Sequence, residues 1–409
     1  MSSDRHTHGI KARWICPVDR PPIENGLVAI GDGRIRFVGR AGEFQTDSIE
    51  DLGDFIVLPG LINAHTHLEL GWCRGRISPR PLWDWFDELL RLNLAPEAEE
   101  NRRRSVADGA AESLAAGVTC VADISRTGMS AEILRASPIR SIAFVELISN
   151  ARSRPNSATT LEERVTQLSG PGDDVHGLGI SPHTPFSVSE RDLGACSDLA
   201  AARRLPITLH LLEAPDERDW YVTGGGRVSD YLARYGIGRA DVDPPGDVFD
   251  LLARAGLMEC KPLLAHVNYV TDSQVARLGA CGASVVWCPR THAYFGHEPH
   301  RWRDMLRAGV NVCFGTDSLA SAPSLSILEE LRHVAQAAPD CPASTLLESA
   351  TLRAATALNV ASRIGSLTDG KDGDMIAVPW SPDGAEDPVT NAIAGGKAVE
   401  KVWIRGKEV

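Results

Sequence analysis

Three short stretches of this 409-residue chain carry side chains suited to metal-assisted hydrolysis. His65-Thr66-His67 places two imidazoles two residues apart. In an extended strand such residues share a face, so both rings would enter one space. His210 stands three residues before Glu213, and Asp317 closes a Gly315-Thr316-Asp317 triplet. His266 adds a further imidazole. Nitrogen and oxygen donors of this kind, brought together, suit Zn2+, Fe2+ or Mn2+. Each piece alone says little. A lone buried His is more often a hydrogen-bonded core residue, and an Asp after Gly-Thr often caps a helix. The tripeptide itself recurs as His6-Thr7-His8, in a polar N-terminal tail that no apolar strand precedes, and is not expected to form a site.

The elements that must position these groups give them meaning. Short apolar runs occur at 61–64, 118–122, 139–147, 177–180, 206–209, 262–265, 283–287 and 310–314, with helical patterns between them, such as 96–116. Eight such runs predict an α/β chain folded as a (β/α)8 TIM barrel, whose catalytic groups belong at the C-terminal ends of the strands. His65 and His67 end the first run, His210 the fifth, His266 the sixth and Asp317 the eighth. Asp123, Glu146 and Arg290 end the second, third and seventh. Runs at 27–30 and 34–38 flank Gly31-Asp32-Gly33, a hairpin signal. With 374–378 and 398–404 they predict a small β-sandwich built from both termini, residues 1–58 and 363–409, around a barrel of residues 59–362.

Bulk properties narrow the partners. A formal net charge of -12 argues against nucleic acid, whose phosphates require an excess of Lys and Arg. No apolar run has the length of a membrane span, and no signal peptide is read at the N-terminus. Nine cysteines without a CxxC pair, several in apolar runs (Cys120, Cys288, Cys313), read as reduced buried thiols of a cytoplasmic protein.

Pro59-Gly60-Leu61-Ile62-Asn63-Ala64-His65-Thr66-His67 resembles the opening metal motif of the amidohydrolase superfamily. His210-Leu211-Leu212-Glu213 resembles the HxxE motif of its cytosine-deaminase and chlorohydrolase branch, and Phe314-Gly315-Thr316-Asp317-Ser318 its eighth-strand motif. The resemblance spans nearly the whole chain. It implies one divalent metal, Zn2+ before Fe2+ or Mn2+, held by His65, His67, His210 and Asp317. Binuclear members bridge two ions with a carboxylated lysine on the fourth strand. No lysine occurs here between Lys11 and Lys261, so a mononuclear site is expected. The resemblance further implies that Glu213 shuttles a proton to a ring nitrogen, that Asp317 takes one from water, and that His266 hydrogen-bonds the water or the tetrahedral intermediate.

The implied reaction is deamination of an aminated heteroaromatic ring. His65-Thr66-His67-Leu68-Glu69, Ser181-Pro182-His183 and Cys288-Pro289-Arg290-Thr291-His292 together look most like aminodeoxyfutalosine deaminases, of menaquinone biosynthesis, whose substrate is an adenine nucleoside carrying a benzoate. Glu69, Trp83, His183, Arg290, His292 and Ser318 are the expected substrate contacts. Arg290, or Arg74 or Arg76, would face the carboxylate, unless Arg290 pairs internally. The segment 83–86 reads equally as a cover over a planar ring or as a helix packed on the barrel. Related scaffolds also expel chloride or alkylamine from triazines, or open cyclic amides. A catalytically dead interaction protein would have lost a ligand, and none is missing. A small-molecule substrate and a homodimer, as in many relatives, complete the expectation.

Overall fold

The computed structural model describes residues 6–149, 157–170, 175–234 and 246–409. Its strands, in chain order, are β1 (Thr7–Ile15), β2 (Ile23–Gly31), β3 (Arg34–Arg40), β4 (Ser48–Asp51), β5 (Phe55–Pro59), β6 (Leu61–Thr66), β7 (Val118–Ser125), β8 (Arg140–Leu147), β9 (His176–Pro182), β10 (Thr208–Leu211), β11 (Leu263–His266), β12 (Ser284–Trp287), β13 (Asn311–Phe314), β14 (Met375–Pro379), β15 (Lys401–Ile404) and β16 (Lys407–Glu408).

The middle eight strands match the eight apolar runs. They form two four-stranded parallel sheets, β6-β7-β8-β9 and β10-β11-β12-β13. Nearly all their residues are buried, as expected of parallel strands covered on both faces. Both seams between the sheets carry contacts. Ile180 bridges Ile207 in parallel, and Thr66 bridges Asp317. The amides of Thr316 and Asp317 both donate to the His65 carbonyl, at 3.1 and 3.0 Å. Helices alternate with the strands, among them Ala98–Ala115 between β6 and β7 and Ile327–Ala337 after β13.

Both chain ends contribute to one further sheet, in the order β16-β15-β14-β5-β1-β2-β3, with β4 paired to β1. β1 divides its outer edge between β4 and β5. Ile10, Val28, Ile35, Val57, Met375 and Trp403 form its apolar core. The hairpin read at Gly31-Asp32-Gly33 joins β2 and β3, with Asp32 and Gly33 both at positive φ. One expectation is corrected here: Thr7 and His8 are not in a polar tail. They start β1, paired to Gly31 and Ile30, and His8 Nδ1 meets Ser48 Oγ at 3.0 Å. Strand 398–404 begins later than read, at Lys401.

A buried ionic knot ties the terminal sheet to β8. Arg140 pairs with Asp372 at 2.9 Å and Asp374 at 3.1 Å, Arg363 also reaches Asp372, and all of Arg140, Asp372 and Asp374 are nearly inaccessible. Removing one partner strands a buried charge. Arg140→Ala should therefore cost about 3–5 kcal/mol, read from the urea midpoint. A midpoint within 0.5 kcal/mol of wild type, in round terms about the scatter of surface substitutions, would show the knot to be energetically idle.

No helix among the described residues is long and apolar enough to cross a membrane. Cys120, Cys288 and Cys313 are buried, and all nine cysteines are free.

Candidate metal centre and active-site cavity

His65 is the fifth residue of β6, and His67 follows the strand at its end. His67 leaves the strand (φ -125°, ψ 81°) with its ring still beside that of His65, while Thr66 donates to the Asp317 carbonyl at 3.0 Å. His210 lies in β10, His266 ends β11, and Asp317 stands three residues beyond β13. Ring centroids of His67, His210 and His266 lie 5.0, 4.9 and 5.4 Å from that of His65. Asp317 Oδ1 is 3.8 Å from His65 Nε2 and 3.6 Å from His67 Nε2.

The backbone is bent to make this possible. Leu212, His266, Val267 and Asp317 all have φ between 50° and 70°, a region that branched or bulky L-residues rarely occupy. Such outliers cluster where the surroundings over-determine a site. Here the determinants are visible. Asn63 donates to Thr316 Oγ1 at 2.8 Å and accepts the Thr316 amide at 3.1 Å, so β6 grips the turn that presents Asp317. Gly315 allows the close approach: a Cβ there would sit 2.7 Å from the His65 carbonyl oxygen and 2.9 Å from its amide nitrogen. Gly315→Ala must push His65 away. It should lower bound metal and turnover together, measured as metal content per chain beside ammonia release; full metal content with normal turnover would contradict the assigned contact.

The donors are arranged as neutral imidazoles. Burial first, then the neighbouring imidazoles, hold His65 and His67 well below the usual histidine range, and burial brings His210 down to about 4. The His183 carbonyl faces His210 Nδ1 at 3.2 Å and accepts its N–H, which leaves Nε2 without a proton. That nitrogen lies 3.2 Å from His67 Nε2. Both ring nitrogens of His65 are buried without a partner. Buried polar atoms are seldom left so. Converging lone pairs with an adjacent carboxylate are what a divalent cation requires, and the donor set fits one.

Glu213 borders this cluster, 3.8 Å from His266 Nε2. Burial, with the charges of Asp317 and Glu217, keeps its carboxyl well above the usual range, and burial pushes Asp317 up to about 7. Glu213 is buried, and nearby Arg218 pairs with Asp219 instead. Glu217 was missed in the sequence. It accepts the amides of Leu212, Glu213 and Ala214 at 3.0, 2.9 and 3.4 Å, fixing the bend that aims Glu213. The signal was present: a Glu in the first turn of a helix opening with Pro215. Asn268, whose amide donates to the Glu213 carbonyl at 2.9 Å, lies 55 residues away and had none.

A cavity of about 370 Å³ opens over the cluster. Of the expected substrate contacts, Glu69, Trp83, His183 and Ser318 line it. Glu69 Oε1 accepts Ser125 and Thr127, while its Oε2 and the Ser318 hydroxyl are buried without partners. His183 Nδ1 meets Ser187 Oγ at 2.8 Å. Helix Leu82–Asn93 supplies one wall, and Trp83 packs on Phe186 and Tyr231 with its Nε1 bonded to Asp216. Cover and core packing are thus one structure.

Two expectations are corrected. Arg290 faces away from the cavity: Nε donates to buried Glu330 at 2.6 Å, and Nη1 and Nη2 to Ser324 and Ser326. Its fork is already filled, so no substrate carboxylate can use it. His292 is likewise held outside the cavity, between Asn268 Oδ1 at 3.1 Å and the Glu298 carbonyl at 2.8 Å. Arg74 pairs with Glu112 and Arg76 covers the Trp72 ring.

A histidine-rich candidate metal centre with a buried acid, set at the ends of parallel strands, is the arrangement of a metal-dependent hydrolase. The chain belongs to the Amidohydrolase family, whose family model matches residues 56–409. It is 29% identical to a 5-methylthioadenosine/S-adenosylhomocysteine deaminase of Moorella thermoacetica, over 97% of this chain and 92% of that one. It is 30% identical to an aminodeoxyfutalosine deaminase of Deinococcus radiodurans, over 80% and 79%. A solved structure of an adenosine deaminase from Xanthomonas campestris with bound zinc superposes with a TM-score of 0.84 at 25% identity, covering 98% and 92%.

Proposed function

We propose that this chain is a single-metal deaminase of adenine nucleosides, with zinc held by His65, His67, His210 and Asp317. The observation that carries it is Glu213: a buried carboxyl 3.8 Å from His266 Nε2, held above the usual carboxylate range by burial, beside the histidine cluster in a cavity walled by Trp83, Trp85, Phe86 and Phe186. Flat apolar walls suit a flat heteroaromatic ring. When bound, the metal lowers the pKa of a coordinated water towards neutrality. The residues do the rest. Glu213 gives its proton to a ring nitrogen, which makes the adjacent carbon electrophilic. Asp317 takes the proton released by the attacking water and His266 hydrogen-bonds the tetrahedral centre; Asp317 then passes that proton to the amino group, which leaves as ammonia, while the hydroxyl proton of the tetrahedral centre returns to Glu213.

The named relatives are deaminases of adenine nucleosides, and their similarity over most of this chain supports the same class here. A substrate carboxylate, as in aminodeoxyfutalosine, would meet Arg126, which lines the cavity and has no side-chain partner among the described residues. The fold proposed with this reading is a (β/α)8 barrel of residues 59–362 with a small β-domain from both chain ends; the parallel contacts Ile180–Ile207 and Thr66–Asp317 between the two four-stranded sheets support it. Ammonia release from adenosine, methylthioadenosine, adenosylhomocysteine and aminodeoxyfutalosine tests it. Release from at least one is expected. Chloride release from a chlorotriazine with none from any nucleoside would replace the proposal.

A further inference from the structure

Glu146 is an acidic group of the cavity that the catalytic scheme does not use. It is the penultimate residue of β8, only 7% exposed, yet it lines the cavity. One of its carboxylate oxygens lies within 4.8 Å of a ring nitrogen of His183 and of His210. No side chain or amide among the described residues hydrogen-bonds or ion-pairs with its carboxylate. The charged groups around it do not neutralise it by contact. Glu69 lies on the neighbouring wall and repels it, while Arg126 and Arg164 exert only an attraction through space. Arg164 is turned to backbone carbonyls, those of Glu146 itself and Arg126.

A buried carboxyl with no partner among the described residues is costly to keep unless something in the cavity meets it, and native structures seldom keep one idle. It faces the cavity, accepts but does not donate when ionised, and offers two oxygens side by side. Its complement is a pair of neighbouring hydroxyls. We infer that Glu146 is a specificity residue that receives the vicinal diol of the substrate's sugar. This rests on the nucleoside reading above and adds the feature of the nucleoside that is selected. Glu69, with Oε1 occupied by Ser125 and Thr127, has a single oxygen to offer and is less suited to a diol.

A hydrogen bond to a charged acceptor changes affinity by roughly 10- to 100-fold. The test compares kcat/KM for adenosine and 2′,3′-dideoxyadenosine in the metal-loaded wild type and in Glu146→Gln and Glu146→Ala, with thermal melting and metal content as controls of folding. The wild type should prefer adenosine by at least about 10-fold, and Glu146→Ala should bring the ratio near one. Glu146→Gln, which keeps one acceptor oxygen, should fall between them. Equal rates on both nucleosides in the wild type, or a preference that survives in a folded Glu146→Ala chain, would overturn the inference while leaving the deaminase reading intact. No turnover of any nucleoside would overturn both.

Discussion

Glu213→Gln is expected to lower kcat by about 10²–10⁴-fold while leaving metal content at the wild-type level. The carboxamide has nearly the same shape and can still donate an N–H bond, but it cannot release a proton to a ring nitrogen. Glu217 would still hold the bend through the amides of residues 212–214, so the side chain stays aimed. The loss belongs to chemistry and not to folding. It should therefore appear in kcat at saturating nucleoside, with an unchanged melting temperature. Turnover within a few-fold of wild type would remove Glu213 from the proton-transfer role. A matched loss of metal would instead make it part of the ion-binding set.

Removing the metal should have the other large effect. Coordination is expected to bring the pKa of water from about 16 to about 7. A chain stripped by a chelator should lose turnover to background, and the added ion should restore it. His210→Ala should behave like the stripped chain but resist rescue by ordinary concentrations of ion. It deletes a bare Nε2 that the His183 carbonyl has oriented toward the cluster. Because His65 has no other partner for either ring nitrogen, metal removal should also lower the melting temperature, in proportion to RT ln(1 + [M]/Kd) at the ion concentration used. Unchanged turnover after complete metal removal would refute the role given to the cluster.

Much of this was legible in the sequence, for a local reason. A parallel strand buried on both faces is a short apolar run, and a group at its C-terminal end is the next polar residue along the chain. His65, His67, His210, His266 and Asp317 could be placed by that rule alone. Arg290 obeyed the same rule and misled. It also ends a strand, but its fate is decided by Glu330, 40 residues on and inside the helix Ile327–Ala337. His292 was misplaced in the same way by Asn268 and the Glu298 carbonyl. The start of β1 was obscured because His6, Thr7 and His8 are polar, and their pairing with β2 is a long-range fact. The importance of Glu146 was hidden for the opposite reason. A strand-end Glu looks the same in sequence whether paired or not, and only the packed cavity shows that no described side chain meets its carboxylate.

The central claim is a single-metal hydrolytic deaminase, and a metal titration tests it most directly. Metal-free protein would be titrated with Zn2+ while ammonia release from a nucleoside substrate is followed. Activity should rise linearly and break at one equivalent per chain. A break at two equivalents, or full activity before any ion is added, would contradict it.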